Sequence, residues 1–260
     1  MPANEGFNRL KDTRHGRMIY NINDIYIGRS LDLYGEYSEE EIILLRQLIR
    51  PSDTIVEVGA NIGAHTIPLA KATLAGGGGV IAFEPQRIIF QTLCANVALN
   101  SLTNVRAFQY ACGEEQDTLF VPELDPSQLH NFGGISLGHH TTGEQVAQIR
   151  LDDLDLPACR LLKVDCEGME LSVLKGGVEL INRCKPVLYV ENDREENRDE
   201  LIRHIASLGY RMFWHRPALF NPNNFFEHRE NAWPNIASHN MLCVIGEGNV
   251  EGLEPVMVPA

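Results

Sequence analysis

The sequence predicts an α/β fold built on a doubly wound, mostly parallel sheet with an antiparallel pair of strands at one edge. Short apolar runs are separated by segments of helical character, which is typical of parallel strands buried on both faces. Two later strand-like runs follow each other without a crossover helix, which indicates antiparallel pairing. The first group of runs is 54–58, 79–84, 105–110, 160–165 and 186–191, and the later pair is 210–215 and 240–246.

An N-terminal extension, residues 1–50, is expected before the main domain at 51–250. Residues 17–37 carry β-type side chains around an Asn-Asp pair, which predicts a hairpin that leads into a loop. Ser38 and Glu41 follow with the spacing of a capping box. An amphipathic helix is therefore expected to begin there.

Two long segments interrupt the main domain and show neither a helical nor a strand period. The first insertion, 122–148, separates the third and fourth core strands, and the second insertion, 217–238, is rich in Asn, Pro and aromatic residues. Long irregular loops in compact domains are often functional. Both insertions are therefore expected to cover a ligand site.

The composition restricts the classes of function. A chain of 260 residues with 44% hydrophobic side chains can build the core of one large domain. The net charge of −13 disfavours nucleic acid or a membrane surface as a partner. The six cysteines form no CxxC pair and the polar start of the chain lacks a signal segment, which predicts a cytoplasmic protein. A homo-oligomer is compatible with all of these features.

The turn after the first core strand indicates a nucleoside cofactor. Gly59 and Gly63 lie where a doubly wound sheet binds its ligands, at the carboxyl end of the strand. A dinucleotide fingerprint needs glycine where this chain has Asn61, because a side chain there obstructs the pyrophosphate. Glu57 would repel phosphate but attract the positive charges of S-adenosylmethionine. The turn therefore favours that cofactor over NAD.

Glu84 ends the second core strand, and a carboxylate at this point can bind both hydroxyl groups of a ribose. Such an acid is shared with NAD enzymes. It supports a nucleoside ligand without distinguishing one nucleoside from another.

Three sequence blocks resemble the FkbM family of S-adenosylmethionine-dependent methyltransferases. They are VEVGANIGAHT, AFEP and LLKVDCEGMELSVLKGG, and LYGEYSEEE is similar to the segment that precedes the first strand in that family. The resemblance covers residues 31–191. It implies the class I methyltransferase fold, which is Rossmann-like with a seven-stranded sheet, and transfer of a methyl group, usually to a hydroxyl.

The resemblance also suggests further cofactor contacts. Tyr34 and Glu36 are expected to touch the methionine end of the cofactor. Thr66 and Pro85, which flank the glycine turn and Glu84, complete the expected binding set together with Asp165.

The chemistry is expected at the end of the fourth core strand. Asp165 and Glu167 follow that strand, and Lys163 lies two residues earlier on the same strand face. A hydroxyl acceptor must lose its proton to a base or a metal-bound group, so these three residues are the catalytic candidates. Lys163 either pairs with an acid or acts as a base. Asp165 and Glu167 could instead cap the following helix.

A metal site is a further hypothesis. Asp165, Glu191 and Asn192 follow adjacent strands, and three oxygen ligands with room for water suit Mg²⁺. The layout resembles the divalent-metal catechol-type O-methyltransferases, although Gly168 stands where those enzymes keep a lysine. In the competing interpretation, Glu191 and Asn192 contact hydroxyl groups of the acceptor.

The favoured function is O-methylation of a small-molecule or sugar-like acceptor with S-adenosylmethionine. An N-methyltransferase acting on an amine is the enzymatic alternative. A non-catalytic, nucleoside-binding partner subunit is an alternative of a different class.

Overall fold

The computed structural model describes residues 6–247 and 250–259. The helices are α1 (Ile27–Tyr34), α2 (Glu39–Leu48), α3 (Thr66–Leu74), α4 (Arg87–Leu99), α5 (Glu170–Lys175), α6 (Val178–Cys184) and α7 (Arg198–Ser207). The strands are β1 (Asn8–Thr13), β2 (Gly16–Asn21), β3 (Thr54–Val58), β4 (Gly79–Phe83), β5 (Val105–Phe108), β6 (Ala111–Cys112), β7 (Asp117–Val121), β8 (Glu144–Ile149), β9 (Leu161–Val164), β10 (Val187–Glu191), β11 (Arg211–His215), β12 (Asn240–Val244) and β13 (Glu254–Pro255).

The main sheet has the strand order β13-β11-β12-β10-β9-β3-β4-β5. The strands from β10 to β5 pair in parallel, whereas β12 runs antiparallel between β10 and β11. The predicted class I fold with an antiparallel edge is therefore confirmed. In the described part of the chain, the two-residue strand β13 extends the expected sheet of seven strands to eight.

The sheet is covered on both faces, which explains why its strands are apolar without alternation. Leu162 and Val190 face the cluster formed with α5, α6 and α7, while Leu161 and Tyr189 face the cluster formed with α2, α3 and α4. Successive strand residues point to opposite faces. Each strand therefore contributes to two cores.

The N-terminal hairpin differs from its prediction. It consists of β1 and β2, which turn at residues 14–15, well before the Asn-Asp pair. Asp24 of that pair instead accepts hydrogen bonds from the backbone N–H groups of Tyr26 (3.0 Å) and Ile27 (3.1 Å), at the start of α1. A hairpin around this pair was therefore the wrong prediction, because Asp stabilises helix starts as readily as turns.

Helix α2 begins after Ser38 as expected, but without the predicted capping box. The Ser38 hydroxyl donates to Oε1 of Glu41 at 2.6 Å, and neither side chain bonds the helix backbone. Ser38 has φ 46°, in the left-handed region, so its hydroxyl does not have the usual capping geometry. Glu41 itself is buried, and only 3% of it is exposed.

The first insertion is only partly irregular. Its last residues form β8, which pairs antiparallel with β7 and parallel with β6 in a second, smaller sheet. The expectation of a segment without a strand is therefore wrong for 144–148. In the described residues, no helix combines the length and the apolar character needed to cross a membrane.

Candidate active site

A cavity of about 330 Å³ opens at the carboxyl ends of β3, β4, β9 and β10. This is the edge at which doubly wound sheets bind ligands, and the volume lies in the range of small-molecule sites. Both insertions contribute to its wall. The contributing residues are Asn131, Gly133, Ile135 and Leu137 from the first insertion and Leu219, Ile236, Ala237 and Ser238 from the second.

The glycine turn is required by packing against neighbouring elements. Gly59 has φ +82°, and a Cβ built on it would lie 1.7 Å from the carbonyl oxygen of Asp165. Gly63 has φ +89°, and its Cβ would lie 2.8 Å from a methyl group of Leu93 on α4. Asn61 also has a positive φ, of 49°, which Asn tolerates, and it lines the cavity. The turn is therefore fixed by its neighbours before any ligand binds.

Glu84 lies at the cavity with both carboxylate oxygens oriented by the backbone. Oε2 accepts a hydrogen bond from the N–H of Asn61 and Oε1 accepts one from the N–H of Gln86, each at 2.9 Å. Burial raises its pKa to about 7, although the two backbone N–H groups oppose the shift. A carboxylate oxygen can accept more than one hydrogen bond. Both oxygens of Glu84 can therefore also bind hydroxyl groups of a ligand.

Glu57 supports the turn from behind, which corrects the prediction that it faces a ligand. The described cavity wall does not include Glu57, Gly63 or Thr66. The Thr66 hydroxyl donates to Oε2 of Glu57 at 2.6 Å, and both side chains are buried. Burial raises the pKa of Glu57 to about 7, while the nearby charge of Lys163 lowers it.

Tyr34 and Glu36 hold the second insertion and do not line the described cavity, so the structure does not bring them to the place where their cofactor contacts were expected. The Tyr34 hydroxyl accepts a hydrogen bond from the N–H of Ala232 at 2.9 Å. Glu36 accepts hydrogen bonds from the side chain of Asn221 at 2.7 Å and the N–H of Phe225 at 2.8 Å. These contacts fix one wall of the cavity.

Three carboxylates meet where β9 and β10 end. Asp165, Glu167 and Glu191 each offer an oxygen, and these oxygens lie within 4.8 Å of one another. Lys163 forms an ion pair with Asp165 at 2.8 Å, as one of the predicted alternatives had it. Arg194 forms an ion pair with Glu167.

Glu191 differs from the other two carboxylates because it forms no ion pair with a lysine, arginine or histidine in the described part of the chain. It lines the cavity, and its buried Oε2 has no hydrogen-bond partner within residues 6–247 and 250–259. Burial raises its pKa well above the usual value, and the charges of Asp165 and Glu167 add to the effect. Burial and the charge of Asp165 also raise the pKa of Glu167, to about 7.

The predicted metal ligands do not come together as expected. Asn192 is buried, and its amide contacts the sulfur of Met241 at 3.4 Å, away from the described cavity wall. Asp165 and Glu167 could complete an oxygen site with Glu191, but a lysine and an arginine already neutralise them. These residues therefore do not fit a resident divalent cation.

The helix-capping alternative for Asp165 and Glu167 is also wrong. Glu170, the first residue of α5, instead accepts hydrogen bonds from the N–H groups of Cys166 (3.0 Å) and Gly168 (3.1 Å), in the turn before the helix, and α5 has no side-chain cap. Asp165 and Glu167 line the cavity instead.

Glu41, Tyr37 and His65 are absent from the predicted site residues. All three line the cavity. A signal for Glu41 is present in the sequence, since it lies four residues before the buried Leu45 on α2 and so shares its inward face. An acid at an inward position of an amphipathic helix is a candidate for function.

Known proteins match the chain over this region. The family model of the Methyltransferase FkbM domain matches residues 57–212. Methyltransferase 1 of Beauveria bassiana is 30% identical over 48% of this chain and 59% of its own length. Hexuronic acid methyltransferase AglP of Haloferax volcanii is 31% identical over 58% of this chain and 59% of its own length.

The chain therefore spans about three fifths of the length of these two curated relatives. In solved structures, the Methyltransferase FkbM of Methylobacillus flagellatus KT superposes with a TM-score of 0.52 at 22% identity. The match covers 75% of this chain and 44% of that one. This likeness supports the fold.

Proposed function

Because the chain belongs to the FkbM methyltransferase family, we propose that it transfers a methyl group from S-adenosylmethionine to a hydroxyl group of a small, sugar-like acceptor. One observation carries the proposal. A single cavity joins the buried carboxylate of Glu84 to the cluster of Asp165, Glu167 and Glu191.

The half of the cavity around Glu84 suits the nucleoside. Two backbone N–H groups already orient this carboxylate, so little ordering is needed when ribose hydroxyls bind. Asn61 occupies the position where a dinucleotide pyrophosphate needs bare backbone, which favours a phosphate-free nucleoside over NAD. Pro85 and Tyr110 provide apolar surface for a base beside Glu84.

The half around the carboxylate cluster suits an acceptor rich in hydroxyl groups, because carboxylates accept hydrogen bonds from them. In the transfer step, the acceptor oxygen attacks the methyl carbon in line with sulfur. The carbon–sulfur bond breaks, and its electron pair stays on sulfur to give S-adenosylhomocysteine. The acceptor proton passes to a carboxylate. Glu191 is the best placed, because its Oε2 is free of partners in the described chain.

The acceptor class rests on this cluster and on one relative, which is named as a hexuronic acid methyltransferase. Hydroxyl groups of a sugar would donate to Glu167 and Glu191, while Arg194 shields part of their mutual repulsion. An amine is the alternative acceptor, because the same carboxylates attract an ammonium group. A methyl ether or a methylamine in the product distinguishes the two.

The cofactor assignment can be tested by calorimetric titration with S-adenosylmethionine and S-adenosylhomocysteine, with NAD as the comparison ligand. Both sulfur nucleosides should bind, and Glu84→Ala should weaken binding about 100-fold, since two hydrogen bonds to a charged group contribute about 3 kcal/mol. Glu115→Ala, an exposed site outside the cavity wall, is the matched control. Binding of NAD alone would overturn the assignment.

The transfer itself requires a second experiment. S-adenosylmethionine is incubated with neutral monosaccharides and with amino sugars, and methylated products are detected by mass spectrometry. A methyl ether supports the proposal, and Glu191→Gln should reduce its formation about 100-fold, within the range for loss of a general base. Tight cofactor binding with no transfer to any acceptor would favour a non-catalytic partner subunit.

A further inference from the structure

Two buried polar atoms at one end of the cavity have no hydrogen-bond partner in the part of the chain that the structure describes. They are Oε2 of Glu41 and Nε2 of His65, and the two atoms lie 3.7 Å apart. Both residues line the cavity, and their relative exposures are 3% and 6%. Buried polar groups are nearly always hydrogen-bonded, so these two atoms are candidates for binding a ligand in the cavity.

The surroundings of the pair fix its geometry. Oε1 of Glu41 accepts hydrogen bonds from the hydroxyls of Ser38 and Ser238, each at 2.6 Å, which orients Oε2. The hydroxyl of the neighbouring Tyr189 forms hydrogen bonds with Nδ1 of His215 and with the side-chain amide of Asn240. Burial raises the pKa of Tyr189 well above its usual value, and the charge of Glu41 is the next cause.

His65 is neutral at physiological pH. Burial, with the charge of Lys163 as the next cause, lowers its pKa to about 3. Tyr37 packs edge-to-face on the imidazole, with ring centroids 5.9 Å apart, and limits its rotation. The neutral ring can donate one N–H from Nε2. His65 also stands at the N-terminus of the nine-residue helix α3, where the helix dipole favours a negative charge.

We infer that Glu41 and His65 bind the α-amino acid end of S-adenosylmethionine, an inference that rests on the proposed function. The carboxylate of Glu41 accepts hydrogen bonds from the ammonium group of the ligand. The N–H of His65 donates to the carboxylate of the ligand. An acceptor and a donor 3.7 Å apart match an ammonium and a carboxylate attached to the same carbon atom.

Two elements outside the sheet, α2 and the second insertion, position the Glu41 side chain at the cavity. Glu41 belongs to α2, and Ser238, which orients it, ends the second insertion. His65 follows the glycine turn. The amino acid end of the cofactor would thus contact the N-terminal extension through Glu41 and the glycine turn through His65, while the second insertion orients Glu41. This arrangement selects ligands that carry an amino acid over those that carry adenosine alone.

Two ligands separate this inference from the proposed function. S-adenosylhomocysteine carries the amino acid, and 5′-methylthioadenosine has the same adenosine and sulfur without it. Calorimetry with Glu41→Gln and His65→Ala should show a 10- to 100-fold loss of affinity for S-adenosylhomocysteine, as expected for one charge-assisted hydrogen bond. Affinity for 5′-methylthioadenosine should change by less than about twofold, within the error of such comparisons.

A second Glu–His pair supplies matched controls. Glu39, on the same helix, is buried and bonds His15 at 2.6 Å, and neither residue lines the described cavity. Glu39→Gln and His15→Ala should leave both affinities unchanged. Retained binding of 5′-methylthioadenosine also shows that each variant is folded.

Equal losses for both ligands would overturn the inference, because the residues would then only shape the cavity. Unchanged binding of S-adenosylhomocysteine together with a raised KM for the acceptor would also overturn it, since the pair would then belong to the acceptor. If the wild-type protein binds neither ligand, the proposed function itself fails.

Discussion

Substitution of Gly59 tests how closely the ends of β3 and β9 approach each other. In Gly59→Ala, the new Cβ would lie 1.7 Å from the carbonyl oxygen of Asp165. A carbon–oxygen contact needs about 3.3 Å, so β3 and β9 would have to separate by about 1.6 Å. The separation would move the glycine turn away from Asp165, one of the catalytic candidates.

Two costs contribute to the predicted loss of stability. A left-handed backbone costs an alanine about 1–2 kcal/mol. Overpacking at a close contact costs about 1–3 kcal/mol more. The free energy of unfolding of Gly59→Ala should therefore fall by about 2–5 kcal/mol, measured by urea denaturation followed by circular dichroism.

Gly77→Ala isolates the steric part of this loss. Gly77 has φ +79°, nearly the same as Gly59, but a Cβ added there would meet no atom within 4 Å. Gly77→Ala should lose only the stability that the left-handed backbone costs an alanine. The free energies of unfolding of the two variants should therefore differ by about 1–3 kcal/mol, the cost of overpacking. Equal losses would refute the close approach of Asp165 as the reason for glycine at position 59.

Three further predictions concern the metal, the buried acids and the second insertion. Chelation with EDTA should leave the methyl transfer rate unchanged, because cations already pair with Asp165 and Glu167; a loss restored by Mg²⁺ would contradict this. Folding raises the pKa of Glu57 from 4.5 to about 7. Between these two pH values the folded state binds more protons than the unfolded state, so the free energy of unfolding falls as the pH rises. Urea titrations at several pH values should show a smaller fall in Glu57→Gln, and an unchanged slope would exclude Glu57 as its source. Glu36→Ala should speed proteolytic cleavage within the second insertion, detected by mass spectrometry, whereas the exposed control Glu40→Ala should cleave at the wild-type rate.

The sheet was predictable because its signals are local. Apolar runs of strand length, separated by helical segments, are sufficient to predict parallel strands buried on both faces. The ion pair of Lys163 with Asp165 was also accessible, since residues two apart on a strand share a face. Glu84 directly follows β4, at the expected edge of the sheet, and lines the cavity.

The predictions that failed depend on distant contacts or on which face a residue occupies. Tyr34 and Glu36 bond residues almost 200 positions later, and no local pattern reports such a contact. Glu57 was assigned to the ligand because of its charge, and no pattern in the sequence reports that Thr66 is its buried partner. The error at Asn192 was avoidable. Neighbouring residues of an extended strand point to opposite faces, so Glu191 and Asn192 could not both enter the site.

The anchoring of the second insertion by the N-terminal extension has a consequence for protein engineering. Tyr34 and Glu36 form one structural unit with the second insertion, although the sheet-forming part of the chain separates them in sequence. A chimera that exchanges the second insertion alone would leave the donor loop without its partners. The residues of the N-terminal extension that hold the second insertion would therefore have to be transplanted with it, so that the two segments act as one engineering module.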